Sequence, residues 1–170
     1  MSVATAVVLA ALIAVLASSK PANTAAYSPL ISKPAPPVSG PGINMPGTYQ
    51  LSQYLGKWVL VNFSASWCNP CRLETPQLAR FEQEHAATGN AVILAVEYDP
   101  GDRADLASFL EQSKATWPAV EDSQAEVSYG VGQIPESYLV DPQGTVVAKF
   151  FGEVTAAQLD KIIDEATTGA

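Results

Sequence analysis

The chain has 170 residues, 48% of them hydrophobic, and 17 acidic side chains against 9 basic ones give a formal net charge of −8. That length suits one domain plus a leader, and the apolar content is enough for a real core. The acidic balance argues against a nucleic-acid partner, whose phosphates need a basic face; it suits a domain that picks up cationic or unfolded protein segments.

In chain order, the first element is an apolar leader. Ser2 through Ser19 carry no charged side chain, and Val3–Ala17 is mostly Ala, Val, Leu and Ile. A spanning helix needs about 20 residues, with about 17 as the minimum. No Lys or Arg precedes the run, and Lys20 follows it, against the usual positive-inside bias. Small residues at Ala22-Asn23-Thr24-Ala25-Ala26 offer a cleavage site. The expectation is a single-pass anchor over residues 1–20. A cleaved signal sequence is the alternative, with a misplaced start or a buried helix behind it. Anchor or signal, either places the domain outside the cytoplasmic membrane, on the oxidising side, or secretes it. No cysteine follows the leader closely, which excludes a lipoprotein anchor.

Residues 21–47 follow as a linker and approach to the domain. Pro34, Pro36, Pro37, Pro41 and Pro46, with Gly40, Gly42 and Gly47, exclude a regular helix there. The domain itself is expected over 48–168. Tyr49–Tyr54 leads to the buried strand Lys57–Ser64. A helix over Asn69–Ala87 follows, bent at Pro76 and ended by Gly89-Asn90. Ala91–Glu97 reads as a buried strand. Asp102 is a candidate cap for the helix Arg103–Ser113. Trp117–Val120 reads as a short strand and Ser123–Tyr129 as a short helix. Asp141-Pro142-Gln143-Gly144 marks a hairpin between Ser137–Val140 and Thr145–Phe151. Thr155 caps a last helix through Ala166, with Ala156, Leu159, Ile162 and Ile163 toward the sheet. Alternating strands and helices followed by a hairpin suit an α/β sandwich with a mixed sheet. His85 reads as a surface residue, and Trp58 and Trp117 as core aromatics.

The chemistry lies in Trp67-Cys68-Asn69-Pro70-Cys71, which holds both cysteines of the chain. The strand before it and the helix after it place Cys68 at a helix N-terminus, where free N–H groups and the helix dipole favour an anion. A thiolate is such an anion and is the reactive form; a Cys-X-X-Cys motif at a helix start lowers the thiol pKa into a range of about 3.5–7.5. Cys68 is the candidate nucleophile, and Cys71, one turn on, the resolving thiol. Pro70 fits the first turn, where its missing N–H costs nothing. A structural zinc wants four ligands, and the chain offers two Cys and His85. A purely structural disulfide would close a very small loop, where such bonds stabilise least. Both readings stay behind redox exchange, and no metal or other cofactor is expected.

Four segments carry a family resemblance. Val61-Asn62-Phe63-Ser64-Ala65-Ser66-Trp67-Cys68 resembles VNFWASWC, and Pro76 falls at a familiar helix kink. Ile134-Pro135-Glu136-Ser137-Tyr138-Leu139-Val140-Asp141 resembles APETFLID, and Ser28–Pro36 resembles SPLIGKPAP. Over Ser28 to Ala166 the chain resembles the thioredoxin superfamily, in its membrane-tethered TlpA/ResA/CcmG (DsbE) branch. The resemblance implies a thioredoxin-like three-layer sandwich, with helix Arg103–Ser113 and its strand as a central α/β insertion. It implies a cis Pro135 set against the cysteines, with the backbone of Ile134 free to pair with an extended substrate. Trp67, Asn69 and Pro70 would line the site. Protein thiols or disulfides are the implied substrates, apocytochrome c among them, with a membrane electron-transfer partner and a monomeric protein.

Departures from that pattern matter. Ser64 stands where the family has Trp, and Asn62 stands where thioredoxin has a buried aspartate. Glu136 and Glu97 are the candidate acids in its place. Asn69 between the cysteines leaves the reduction potential, and so the direction of electron flow, open. An oxidant of folding secreted proteins remains an alternative. Other classes fit less well. A copper-delivery protein of the Sco kind expects a wider cysteine spacing and a later His, and none follows His85. A peroxiredoxin expects a lone peroxidatic Cys. A non-catalytic binding module would keep the fold with inert thiols.

Overall fold

The computed structural model describes residues 26–99 and 101–169, so the expected anchor over residues 1–20 lies outside the described residues. A short ribbon, β1 (Ser39–Pro41) and β2 (Thr48–Gln50), leads through a 3-10 turn at Leu51–Tyr54 into β3 (Trp58–Ser64). Then come α1 (Asn69–Ala86), β4 (Ala91–Glu97), α2 (Arg103–Gln112), β5 (Ala119–Glu121) and α3 (Ser123–Tyr129). The hairpin β6 (Glu136–Val140) and β7 (Val146–Phe151) precedes α4 (Ala156–Thr168). Among the described residues no helix is long and apolar enough to cross a membrane.

The main sheet has five strands in the order β5-β4-β3-β6-β7. β3 runs parallel to β4 and antiparallel to β6, so the sheet is mixed. Every residue of β3 is buried, because both faces of the sheet are covered. Side chains alternate between faces along a strand. Trp58 and Leu60 meet Leu78 and Phe81 of α1, Leu106 and Leu110 of α2, and Leu159 and Ile163 of α4. Val59, Val61 and Phe63 meet Ala125 and Tyr129 of α3 on the opposite face, with Tyr138 of β6. Burying a side chain of this size stabilises by about 1.5–3 kcal/mol. The result is the expected three-layer sandwich with the α2–β5 insertion at one side.

Local signals explain most boundaries. Asp122 accepts from the amides of Gln124 and Ala125 at 3.1 Å and so caps α3. Thr155 and Gln158 form a reciprocal capping box at the start of α4. At the hairpin, Asp141 Oδ1 accepts from the amides of Gln143 and Thr145, and Gly144 takes a positive φ of 85°. Pro76 sits inside α1 without ending it.

Two expectations are revised, for Asp102 and His85, and the approach to the domain gains detail. From Ala26 onward the Pro-rich stretch packs along the sheet edges. Ser32 N–H donates to Val146 O, and Val146 N–H donates to Lys33 O, which covers the edge of β7. Gly42 bridges Val120 at the other edge, and a Cβ on Gly40 would lie 2.2 Å from Glu121 O. Prolines tolerate such edges because the missing donor faces away from the ladder. Asp102 precedes α2 but makes no side-chain cap; its carboxylate is used elsewhere. His85 is half-buried, its ring nitrogens 2.8 Å from Asn90 Oδ1 and 2.9 Å from Asp160 Oδ1, so it ties α1 to α4.

Candidate active site

β3 delivers the chain to a turn at the C-terminal end of the sheet, where ligands gather in open α/β folds. Ala65, Ser66 and Trp67 form the turn after Ser64, and Cys68 is the N-cap of α1. Cys68 and Cys71 are joined as a disulfide. Cys71 N–H donates to Cys68 Sγ at 3.2 Å, so a free amide of the first helical turn is aimed at that sulfur. Both cysteines are buried in one cluster with Ala65, and Ile134 packs against that cluster. Trp67, by contrast, is 57% exposed beside them. Asn69 and Pro70 occupy the exposed first turn.

The Ile134–Pro135 bond is cis, as the resemblance implies. Pro135 O accepts from Gly152 N–H at 2.9 Å, which ties this loop to the end of β7. Glu136 follows, fully buried, and stands opposite Phe63 in register. Its Oε1 is 2.9 Å from Lys149 Nζ and 2.6 Å from Tyr138 Oη, while Oε2 has no partner among the described residues. Tyr138 belongs to the α3 face of the sheet, so Glu136 is committed to a buried ion pair on that face.

The residue that sequence reasoning missed is Glu74. It lies one turn past Cys71 on the buried face of α1. Its Oε2 accepts from Asn62 Nδ2 at 3.0 Å, and its Oε1 from Val154 N–H at 2.9 Å. Asn62 also donates to Ser137 Oγ at 2.9 Å. Burial pushes Glu74 up to about 7, despite these bonds. Asn62 therefore does not leave the site without a carboxyl; it holds one supplied by the helix. The signal was present in the spacing Cys71, Glu74, Leu78, Phe81, which puts an acid on an otherwise apolar stripe.

Glu97 ends β4 in register with Ser64. It is also pushed up to about 7, first by burial, then by Glu121 and Asp102, against Arg103. Asp102 accepts from both Ser66 N–H and Ser66 Oγ–H, beside the cysteines. Among the described residues no group of three or more His, Cys, Asp or Glu could hold a metal ion.

Residues 31–149 match the sequence model of the AhpC/TSA family. The chain belongs to that family. Within it, the chain is 32% identical over 120 residues to the thiol-disulfide oxidoreductase ResA of Bacillus anthracis, covering 69% of this chain and 68% of that one. The thioredoxin domain of a thiol-disulfide oxidoreductase from Bacteroides vulgatus superposes with a TM-score of 0.68 at 28% identity. That match covers 81% of this chain and 98% of the other. A DsbF homologue from Corynebacterium diphtheriae gives a TM-score of 0.70 at 22% identity, over 86% and 96% of the two chains, and speaks for the fold alone. With its Cys68–Cys71 disulfide on this scaffold, this AhpC/TSA-family protein is a thiol–disulfide oxidoreductase acting on protein thiols.

Proposed function

We propose that the protein works outside the cytoplasmic membrane, held there by its N-terminal segment, and reduces disulfides in apocytochrome c with electrons from a membrane partner. The observation that carries the reading is a cysteine pair at a helix N-terminus under a cis-proline loop, on a chain 32% identical to ResA proteins. The net charge of −8 suits a cationic, unfolded substrate.

In the reducing direction the electrons balance as follows. The Cys68 thiolate attacks one sulfur of a substrate disulfide, forming a mixed disulfide and expelling a substrate thiolate. Cys71 loses its proton and its sulfur attacks Cys68 Sγ, which releases the second substrate thiolate and leaves Cys68–Cys71 oxidised. The substrate gains two electrons, and a membrane dithiol must return them. Exposed Trp67 offers apolar contact beside the sulfur, and the backbone of Ile134 pairs with the extended substrate. Glu74, three residues past Cys71 among the buried residues of α1 and pushed up to about 7 by burial, is our candidate to take the proton of Cys71. Glu97 and Glu136 remain candidate acids; the ion pair of Glu136 with Lys149 favours a supporting role for it.

A Cys71→Ser variant of the full-length chain tests the substrate, because its mixed disulfide cannot be resolved. Capture of apocytochrome c through Cys68 is expected. Capture of assorted folding secreted proteins instead would favour the oxidant reading, and no capture would overturn both.

A further inference from the structure

Glu97 is 1% exposed, yet among the described residues neither carboxyl oxygen has a hydrogen-bond partner. In register beside it stand Ser64 at the end of β3 and Glu121 at the end of β5. Neighbours in register share a face of the sheet. The charges of Asp102 and Arg103 at the start of α2, and of Asp99 in the preceding loop, act on it. The cation is already engaged: Arg103 Nη1 is 3.0 Å from Glu121 Oε2, and Nη2 donates to Gly42 O at 2.9 Å.

Asp102 is also engaged, and with the active-site turn. Its two oxygens accept from Ser66 N–H and Ser66 Oγ–H. The carbonyl of Ser66 accepts from Arg72 Nη1 at 3.0 Å, and the Arg72 guanidinium lies 4.7 Å over the ring of Phe109 in α2. The residue two before Cys68 is therefore held toward α2 through both its N–H and its C=O.

We propose that Asp102 is a positioning residue that latches the Ser66–Cys68 turn onto α2, and that the proton on Glu97 sets how firmly the latch holds. Four carboxyls share this corner with one arginine, so ionising all of them is costly. Glu97 is the one with no compensating bond, and it carries the proton in acid. Asp102 then keeps both bonds to Ser66. When Glu97 ionises, its charge faces Asp102 with no cation or donor of its own. Repulsion is relieved as Asp102 lets go of Ser66, and the turn that presents Cys68 loosens. The latch is tight below the Glu97 titration and loose above it. No metal, substrate or partner is required for this coupling, and it holds for either direction of electron flow.

The backbone amide of Ser66 reports the latch directly. In the full-length oxidised chain, labelled with 15N, the Ser66 amide proton should be protected and shifted downfield at pH 5.5. Both properties should be lost through an inflection near pH 7. Glu97→Gln should remove the inflection and keep the acid signature throughout. Asp102→Asn should also remove it, because an amide is not repelled. Glu74→Gln should leave it in place, because that carboxyl meets Asn62 instead. After reduction, iodoacetamide labelling of Cys68 per thiolate should fall several-fold across the same interval in wild type and stay level in Glu97→Gln. A wild-type Ser66 amide that stays level from pH 5.5 to 8.5 overturns the proposal, even if a variant fails to fold. So does an inflection that survives Glu97→Gln.

Discussion

Single side chains at this site are held by few, specific partners, and their removal has predictable cost. Glu136 and Lys149 form a buried ion pair, with the Lys149 Nζ also 4.2 Å from the ring centroid of Phe151. Removing one partner strands the other charge, which costs about 3–5 kcal/mol, whereas apolar or neutral replacement of both is near neutral. Lys149→Met should therefore destabilise strongly, and Glu136→Gln with Lys149→Met should recover most of the loss; chemical denaturation measures both. Cys68→Ser should abolish exchange outright, while Cys71→Ser should stop turnover but still form mixed disulfides, as read by non-reducing electrophoresis. The place of the cysteine pair at a helix start was legible from its spacing and flanking segments. The ion pair was not, because Glu136 and Lys149 lie on different strands, and only the β6–β7 register brings them onto one face.

At the scale of elements, the active-site turn depends on a helix that lies 30-odd residues away in sequence. The bounds of α2 were readable from its periodicity. Its tie to Ser66 was not, since an Asp before a helix reads first as a cap. Tertiary contact won that competition: the Asp102 carboxylate bonds to Ser66 in place of its own helix. The path of the Pro-rich segment was illegible for a related reason. Prolines exclude a helix, but they do not decide between a free linker and a strap along sheet edges, and buried Val38 pulls the chain inward. The central strand carries the largest packing load. Leu60→Ala, at a fully buried position of β3, should cost about 2–5 kcal/mol, measurable as a lowered denaturation midpoint with an unchanged slope.

For the molecule as a whole, buried carboxyls make stability depend on pH. Glu74 and Glu97 each sit at about 7 in the folded protein, against 4.5 for the free side chain. Between those values the folded state binds more protons than the unfolded state, so stability falls as pH rises. Their contribution is complete below about pH 4.5 and is lost by the time pH passes 7. Denaturation midpoints should thus be higher at pH 5 than at pH 8, and Glu74→Gln with Glu97→Gln should flatten that decline. Function at this scale is the direction of electron flow, which no single contact decides, because it is a free-energy difference between oxidised and reduced states of the whole protein. The direct test is equilibration of the full-length Cys68–Cys71 pair with glutathione. The account predicts a potential nearer that of thioredoxin, about −270 mV, than that of the oxidant DsbA. A value near the DsbA figure of about −120 mV would contradict it and make the protein an oxidant of its substrates.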